Sequence, residues 1–201
     1  SLTQCPSTLR GELCTQHTDV DMKNCHPSLL VQMARRANFL VPRLEEYVRD
    51  RKRIIAQLSE HYGGLSRKWI KELFLRVING GGLVRWVDKI VEEEGAGIRG
   101  VLARRGGHSP FVLEFLEEVS GLREVVIGLQ PGAEAILEAV RAEGQPHKNR
   151  WSLFSWCLTE VESDCLLAAA DYFERVRGLP VDTLVFDGAI VRSPTLCDDD
   201  L

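Results

Sequence analysis

The chain has 201 residues, 44% of them hydrophobic and 27% charged, which suits a folded globular domain and excludes a disordered tail, a collagen repeat or a coiled coil. A net charge of −4 excludes a globally basic nucleic-acid binder, but a local basic groove remains compatible with it. No run approaches the ~18 apolar residues of a membrane span, and no secretory leader opens the sequence, so no membrane partner is expected.

The six cysteines, Cys5, Cys14, Cys25, Cys157, Cys165 and Cys197, form no CxxC pair and share no zinc-ligand spacing with histidine. They read as reduced, mostly buried thiols of an intracellular protein, in cytoplasm or nucleus.

In chain order, residues 17–22 alternate as a short strand would. Asn24 stands at an N-cap position and Pro27 in the first turn of a helix, after which Leu29, Leu30, Met33, Ala34 and Ala37 recur at helical spacing. Pro42 interrupts, and one helix is predicted over residues 43–60, ended by Gly63 and Gly64. Ser66 caps a helix over 67–78, which Asn79 and three consecutive glycines, Gly80 to Gly82, terminate. Helices follow over 83–94 and 110–119, joined by a Gly/Arg-rich loop, then over 133–142 and 151–176. Two β-prone runs, 181–186 and 189–192, flank Asp187-Gly188 and predict a hairpin turning there.

The expected architecture is helix-rich α+β. A small antiparallel sheet combines strand 17–22 with hairpin 181–192, and the helices are inserted between them.

The helix over 67–78 carries the most chemical information. At 100° per residue, Trp69, Ile70, Leu73, Phe74, Val77 and Ile78 share one arc, and Arg67, Lys68, Lys71, Arg76 and Asn79 the other. Two cations one turn apart can grip a polyphosphate; the plainer reading is a solvated basic face. Asp19 and Asp21 fall on one face of the first strand, because side chains alternate with period two. Together with Asp187 they are candidates to hold Mg²⁺, a hard cation that takes oxygen ligands. The plainer reading of Asp187 is a turn residue.

The order acidic strand, then R-x3-K-x3-L-x3-N-G at Arg67, Lys71, Leu75, Asn79 and Gly80, then Val185-Phe186-Asp187-Gly188 resembles motifs A, B and C of the family A DNA polymerases. It is also similar to their relatives, the single-subunit phage-type RNA polymerases, and to divergent polymerase-like proteins of viruses, phages and mobile elements. Asn149, 38 residues before Asp187, matches a family asparagine that precedes motif C.

The resemblance implies a single palm and fingers core, with fingers-like helices over roughly 43–145, a palm over 15–42 and 146–193, and no thumb or exonuclease domain. It implies template-directed nucleotidyl transfer to a primer 3′ end with two Mg²⁺ ions. Asp21 and Asp187 would hold the ions, with the Met22 carbonyl as a further ligand and Asp19 as the rival of Asp21. Arg67 and Lys71 would bind the triphosphate, and Lys71 would protonate the departing pyrophosphate. Asn79 and His26 would lie beside the nucleotide, and Gly80 and Asn149 beside the nucleic acid. The partners implied are primed DNA, nucleoside triphosphates and further helicase, primase or exonuclease domains.

Three departures stand out. Gly188 replaces the second acid of motif C, Asn79 replaces an aromatic residue, and His26 replaces the glutamate that selects the sugar. A degenerate polymerase-like module that binds nucleic acid or acts as a scaffold is therefore the alternative, with an unrelated helical interaction domain behind it. Residues 43–76 carry nine Lys/Arg against five Asp/Glu, a net +4 that leaves −8 for the remainder, as a phosphate channel or a solvated face would. The tryptophans Trp69, Trp86, Trp151 and Trp156 are candidates for base stacking and, at helical spacing, for core.

Overall fold

The computed structural model describes residues 17–185 and 188–192. It is helix-rich α+β with one small three-stranded antiparallel sheet. The strands are β1 (Thr18–Asp21), β2 (Val181–Val185) and β3 (Gly188–Val191). The helices are α1 (Cys25–Arg36), α2 (Pro42–Arg49), α3 (Arg51–His61), α4 (Arg67–Ile78), α5 (Leu83–Glu94), α6 (Gly97–Arg105), α7 (Pro110–Gly128), α8 (Ala133–Ala142) and α9 (Arg150–Arg175). The described residues divide into a helical unit, residues 26–158, and a sheet unit, residues 17–25 with 159–185 and 188–192.

The helical unit is built on aromatic packing. Tyr47, Phe74 and Phe115 meet with ring centroids 4.0–5.6 Å apart, and Trp69, Trp86 and Phe154 are fully buried. Each such ring removes 150–250 Å² or so of surface from water, which is why a few of them organise a core of this size. On α4 the buried side chains are the six of the apolar arc, Trp69, Ile70, Leu73, Phe74, Val77 and Ile78. The α2 N-terminus is capped from a distance: Glu118 of α7 accepts the backbone N–H groups of Arg43 at 2.8 Å and Leu44 at 2.9 Å.

Three local expectations are corrected here. The helix expected over 43–60 is two helices, broken at Asp50, whose φ of −136° leaves the helical region. Asp50 binds Arg53 at 2.6 Å and its carbonyl accepts the Ile54 N–H, so it closes one helix and opens the next. The loop expected between 94 and 110 contains helix α6, whose Ile98 is buried and whose Val101 packs where a Cβ on Gly63 would stand. Helix α7 runs nine residues past Val119, to Gly128. Gly121 does not stop it; a Cβ there would come within 2.9 Å of the Phe39 ring, so this glycine serves packing rather than termination.

In the sheet unit the strand order is β1–β3–β2. Asp21 pairs with Gly188 and Thr18 with Val191, while Val185 pairs with Gly188 across the hairpin. Leu166 and Phe173 of α9 pack with Ala189 and Val191, and Val20, Met22, Leu179 and Val181 close around them. The expected Asp187-Gly188 turn is corrected at its second residue: Gly188 is the first residue of β3 and lies in the ladder, while Asp187 lies outside the described residues.

Candidate functional site

The exposed face of α4 is a stripe of four residues. Arg67, Lys71, Leu75 and Asn79 follow one another at spacing four and all face solvent, Leu75 with 54% of its surface accessible. The other cations near them are neutralised. Lys68 pairs with Glu93 at 3.2 Å, and Arg76 and Lys89 both pair with Glu72, at 3.4 and 2.9 Å. Burial pushes the Glu72 carboxyl up, but hydrogen bonds from Lys89 and Arg76 outweigh it and hold the group below its usual range. Among the described residues Arg67 and Lys71 have no such partner. Their charge is therefore available to a ligand, on a helix whose buried arc holds them one turn apart.

The end of the stripe is fixed by packing. The Asn79 side-chain amide donates to the Leu75 carbonyl at 2.8 Å, and its oxygen accepts from the Ser155 hydroxyl at 3.5 Å. Gly80 has φ +76°, and a Cβ there would come within 2.3 Å of the Trp151 ring. The indole therefore lies against bare backbone, and the Arg123 guanidinium lies over the ring, 4.6 Å from its centroid. Asn149 accepts the N–H groups of Trp151 at 2.9 Å and Ser152 at 3.2 Å, and so caps α9. Gly80 and Asn149, singled out for nucleic-acid contact, thus each have a folding role. His26 is half-buried in the first turn of α1.

A second feature of the helical unit was not anticipated from sequence. A groove of about 220 Å³ opens between α8 and the start of α9, lined by Ile136, Leu137, Val140, Lys148, Ser152 and Trp156 among others. Trp156 keeps 37% of its surface accessible there, while Trp69 and Trp86 are wholly enclosed. The only sequence signal was the tryptophan itself, and helical spacing favoured core for all four.

In the sheet unit Asp19 and Asp21 are exposed on one face of β1, as the strand period requires. Gly188 faces Asp21 closely: a Cβ there would stand 2.3 Å from the Asp21 Oδ1 and 2.7 Å from the Val20 carbonyl. The position that carries a second acid in the polymerases has no room here for any side chain beside Asp21. Met22 packs its side chain on the Leu166 and Phe173 core. The partner acid Asp187 lies outside the described residues, and among those described no three His, Cys, Asp or Glu side chains gather to hold a metal ion. Asp182 is instead engaged with cations: Arg192 donates to both its oxygens, at 2.6 and 3.0 Å, and His17 Nε2 lies 2.5 Å away. Arg192 first and His17 second hold the Asp182 carboxyl below the usual carboxylate range. Among the described helices none is long and apolar enough to cross a membrane.

No family model and no solved structure matches the chain. A curated relative does: "Putative helicase V13" of the Sputnik virophage is 28% identical over 175 residues, covering 87% of this chain and 20% of that protein. The chain thus spans about a fifth of the length of that relative. This finding corrects the functional expectation. The relative carries the name of a helicase and not of a polymerase, which runs against the polymerase and nucleotidyl-transfer reading that the three motifs suggested. Short motifs at matching spacing are a weaker signal than identity spread over most of the chain, because a motif residue can have a local structural reason to be there. Gly80 and Gly188 are two such residues.

Proposed function

We propose that these 201 residues form a nucleic-acid-gripping part of a helicase-type protein, and that Arg67 and Lys71 on α4 hold the sugar-phosphate backbone. The observation that carries the reading is the exposed pair of cations one turn apart, without ion-pair partners among the described residues, on a helix whose other basic residues are already paired. A strand moving past a motor must be held through its repeating phosphates, and such contacts are sequence-independent. The similarity to the Sputnik protein supports the helicase context. The 201 residues contain no G-x4-G-K-[ST] loop, the element that cradles the triphosphate in P-loop motors, so the role proposed for them is holding the strand.

Fluorescence anisotropy with a labelled 20-nucleotide single strand and a matching duplex tests this. The Arg67→Ala/Lys71→Ala protein should bind more weakly than the parent. Its dependence of log affinity on log salt should be shallower by about 1.4 for the single strand and about 1.8 for the duplex, two phosphate contacts in each case. An unchanged affinity and slope in a variant with the parent circular dichroism spectrum would overturn the assignment. Displacement of the strand by an equimolar nucleoside triphosphate would do so too, because it would make the stripe a nucleotide pocket.

A further inference from the structure

The α8–α9 groove is a feature of the helical unit that the phosphate stripe leaves unexplained. Resting on the strand-binding reading above, we infer that it is a stacking subsite for a single unpaired base, with Trp156 as the platform and Lys148 as the contact to the adjoining phosphate.

Four observations favour that occupant. First, the groove floor is apolar, from Ile136, Leu137 and Val140, and one wall is an indole accessible over 37% of its surface. An exposed tryptophan beside an exposed Ile136 presents a flat apolar surface that water does not favour. Second, its size is about 220 Å³, below the ~300–1,000 Å³ of sites for drug-sized ligands and cofactors. One planar ring suits such a space. An amphipathic protein helix, which docks through several anchors over two turns, does not.

Third, the polar groups at the rim suit a nucleotide. Lys148 brings a cation with no ion-pair partner among the described residues, and Ser152 brings a hydroxyl. The Lys148 backbone is pinned on both sides: its N–H donates to the Gln145 carbonyl at 3.1 Å and its carbonyl accepts from Arg141 Nε at 2.8 Å. Its side chain therefore starts from a held position.

Fourth, the groove adjoins the stripe along one helix. Ser155, which hydrogen-bonds Asn79 at the end of the stripe, is the residue before Trp156 on α9. A strand held at Arg67 and Lys71 would run toward Asn79 and meet α9 there. Trp151 fixes the junction by stacking on Gly80, and Asn149 fixes the α9 start. Phosphate grip and aromatic platform side by side are the two parts of sequence-tolerant single-strand binding.

The test uses the 201-residue chain, oligo(dT) as the stacking probe and an abasic oligonucleotide of equal length as the backbone-only probe. Tryptophan fluorescence should be quenched on binding oligo(dT), and that quench should largely vanish in Trp156→Phe, since the other described tryptophans are enclosed or covered by neighbours. Trp156→Phe should keep most of the affinity, because a phenyl ring still stacks. Trp156→Ala should lose about 5- to 150-fold for oligo(dT), the span measured for single stacked bases, while binding the abasic strand like the parent. Equal losses on both probes would overturn the inference, and so would an unaltered quench in Trp156→Phe. The stripe and the groove fail separately. If Arg67→Ala/Lys71→Ala weakens binding and Trp156→Ala does not, only the groove assignment falls; the reverse result removes only the stripe. A groove that serves a protein partner instead would show neither quench nor oligo(dT) loss, which also overturns it.

Discussion

The helical and sheet units handle charge in opposite ways. In the helical unit a broad aromatic core carries the load, and two cations on α4 have no ion-pair partner among the described residues. In the sheet unit the core is small, Arg192 is spent on Asp182, and the exposed face of β1 is acidic at Asp19 and Asp21. The difference bears on the strand-holding role proposed for α4. Exposed cations attract a polyanion, whereas exposed carboxylates disfavour one. The two units also differ in what tolerates change, and four predictions use that difference.

The largest effect should come from the aromatic core. Phe74, 2% exposed and in contact with Tyr47 and Phe115, should cost about 3–5 kcal/mol on replacement by alanine in urea denaturation. Phe173→Ala in the sheet unit, starting from a less complete core, should cost less. Equal losses would mean that the two units do not differ in core strength.

Next is an alkaline limit. Tyr62 is 2% exposed, and burial pushes its phenol up to about 12, against a modest opposing hydrogen bond from the Ser109 N–H. The folded state therefore favours the neutral phenol. Its contribution is complete below the unfolded value near 10 and is lost as pH rises from there through about 12, a loss of about 2–3 kcal/mol. Tyr62→Phe should flatten the fall in melting temperature over that range. A fall of undiminished steepness in Tyr62→Phe would assign the alkaline limit to other groups.

Each unit then offers one glycine to compare. Gly80→Ala must place a methyl against the Trp151 ring at a positive φ, and Gly188→Ala must place one against the Asp21 carboxylate and the Val20 carbonyl. Each should cost about 1–3 kcal/mol, with the indole able to tilt away more easily than the Val20 backbone. Gly188→Ala should therefore be the worse of the two in thermal melts; the opposite order would show that β1 yields more readily than α9.

The smallest stability effect should be at the stripe. Arg67→Ala and Lys71→Ala, at exposed positions without ion pairs among the described residues, should each lie within about 0.5 kcal/mol of the parent even as strand affinity falls. A larger destabilisation would place these cations among the structural groups of the helical unit.

The sequence by itself determined the helix-rich α+β class, the two faces of α4, the bounds of α8 and the approximate strand positions of the sheet. Those follow from periodicity and from breakers such as Pro42 and Gly80 to Gly82, which act within a few residues. It also pointed to Arg67 and Lys71, because spacing four on a helix is a local fact. Tertiary structure alone decided that Asp50 divides a helix, that residues 97–105 wind into α6, and that Gly121 passes through α7 to admit Phe39. It alone set Gly188 in the ladder opposite Asp21, and Trp156 beside Lys148 in an open groove. The physical reason is the same in each case. These outcomes depend on which distant side chain arrives against a given backbone, and no local period or propensity encodes that arrival.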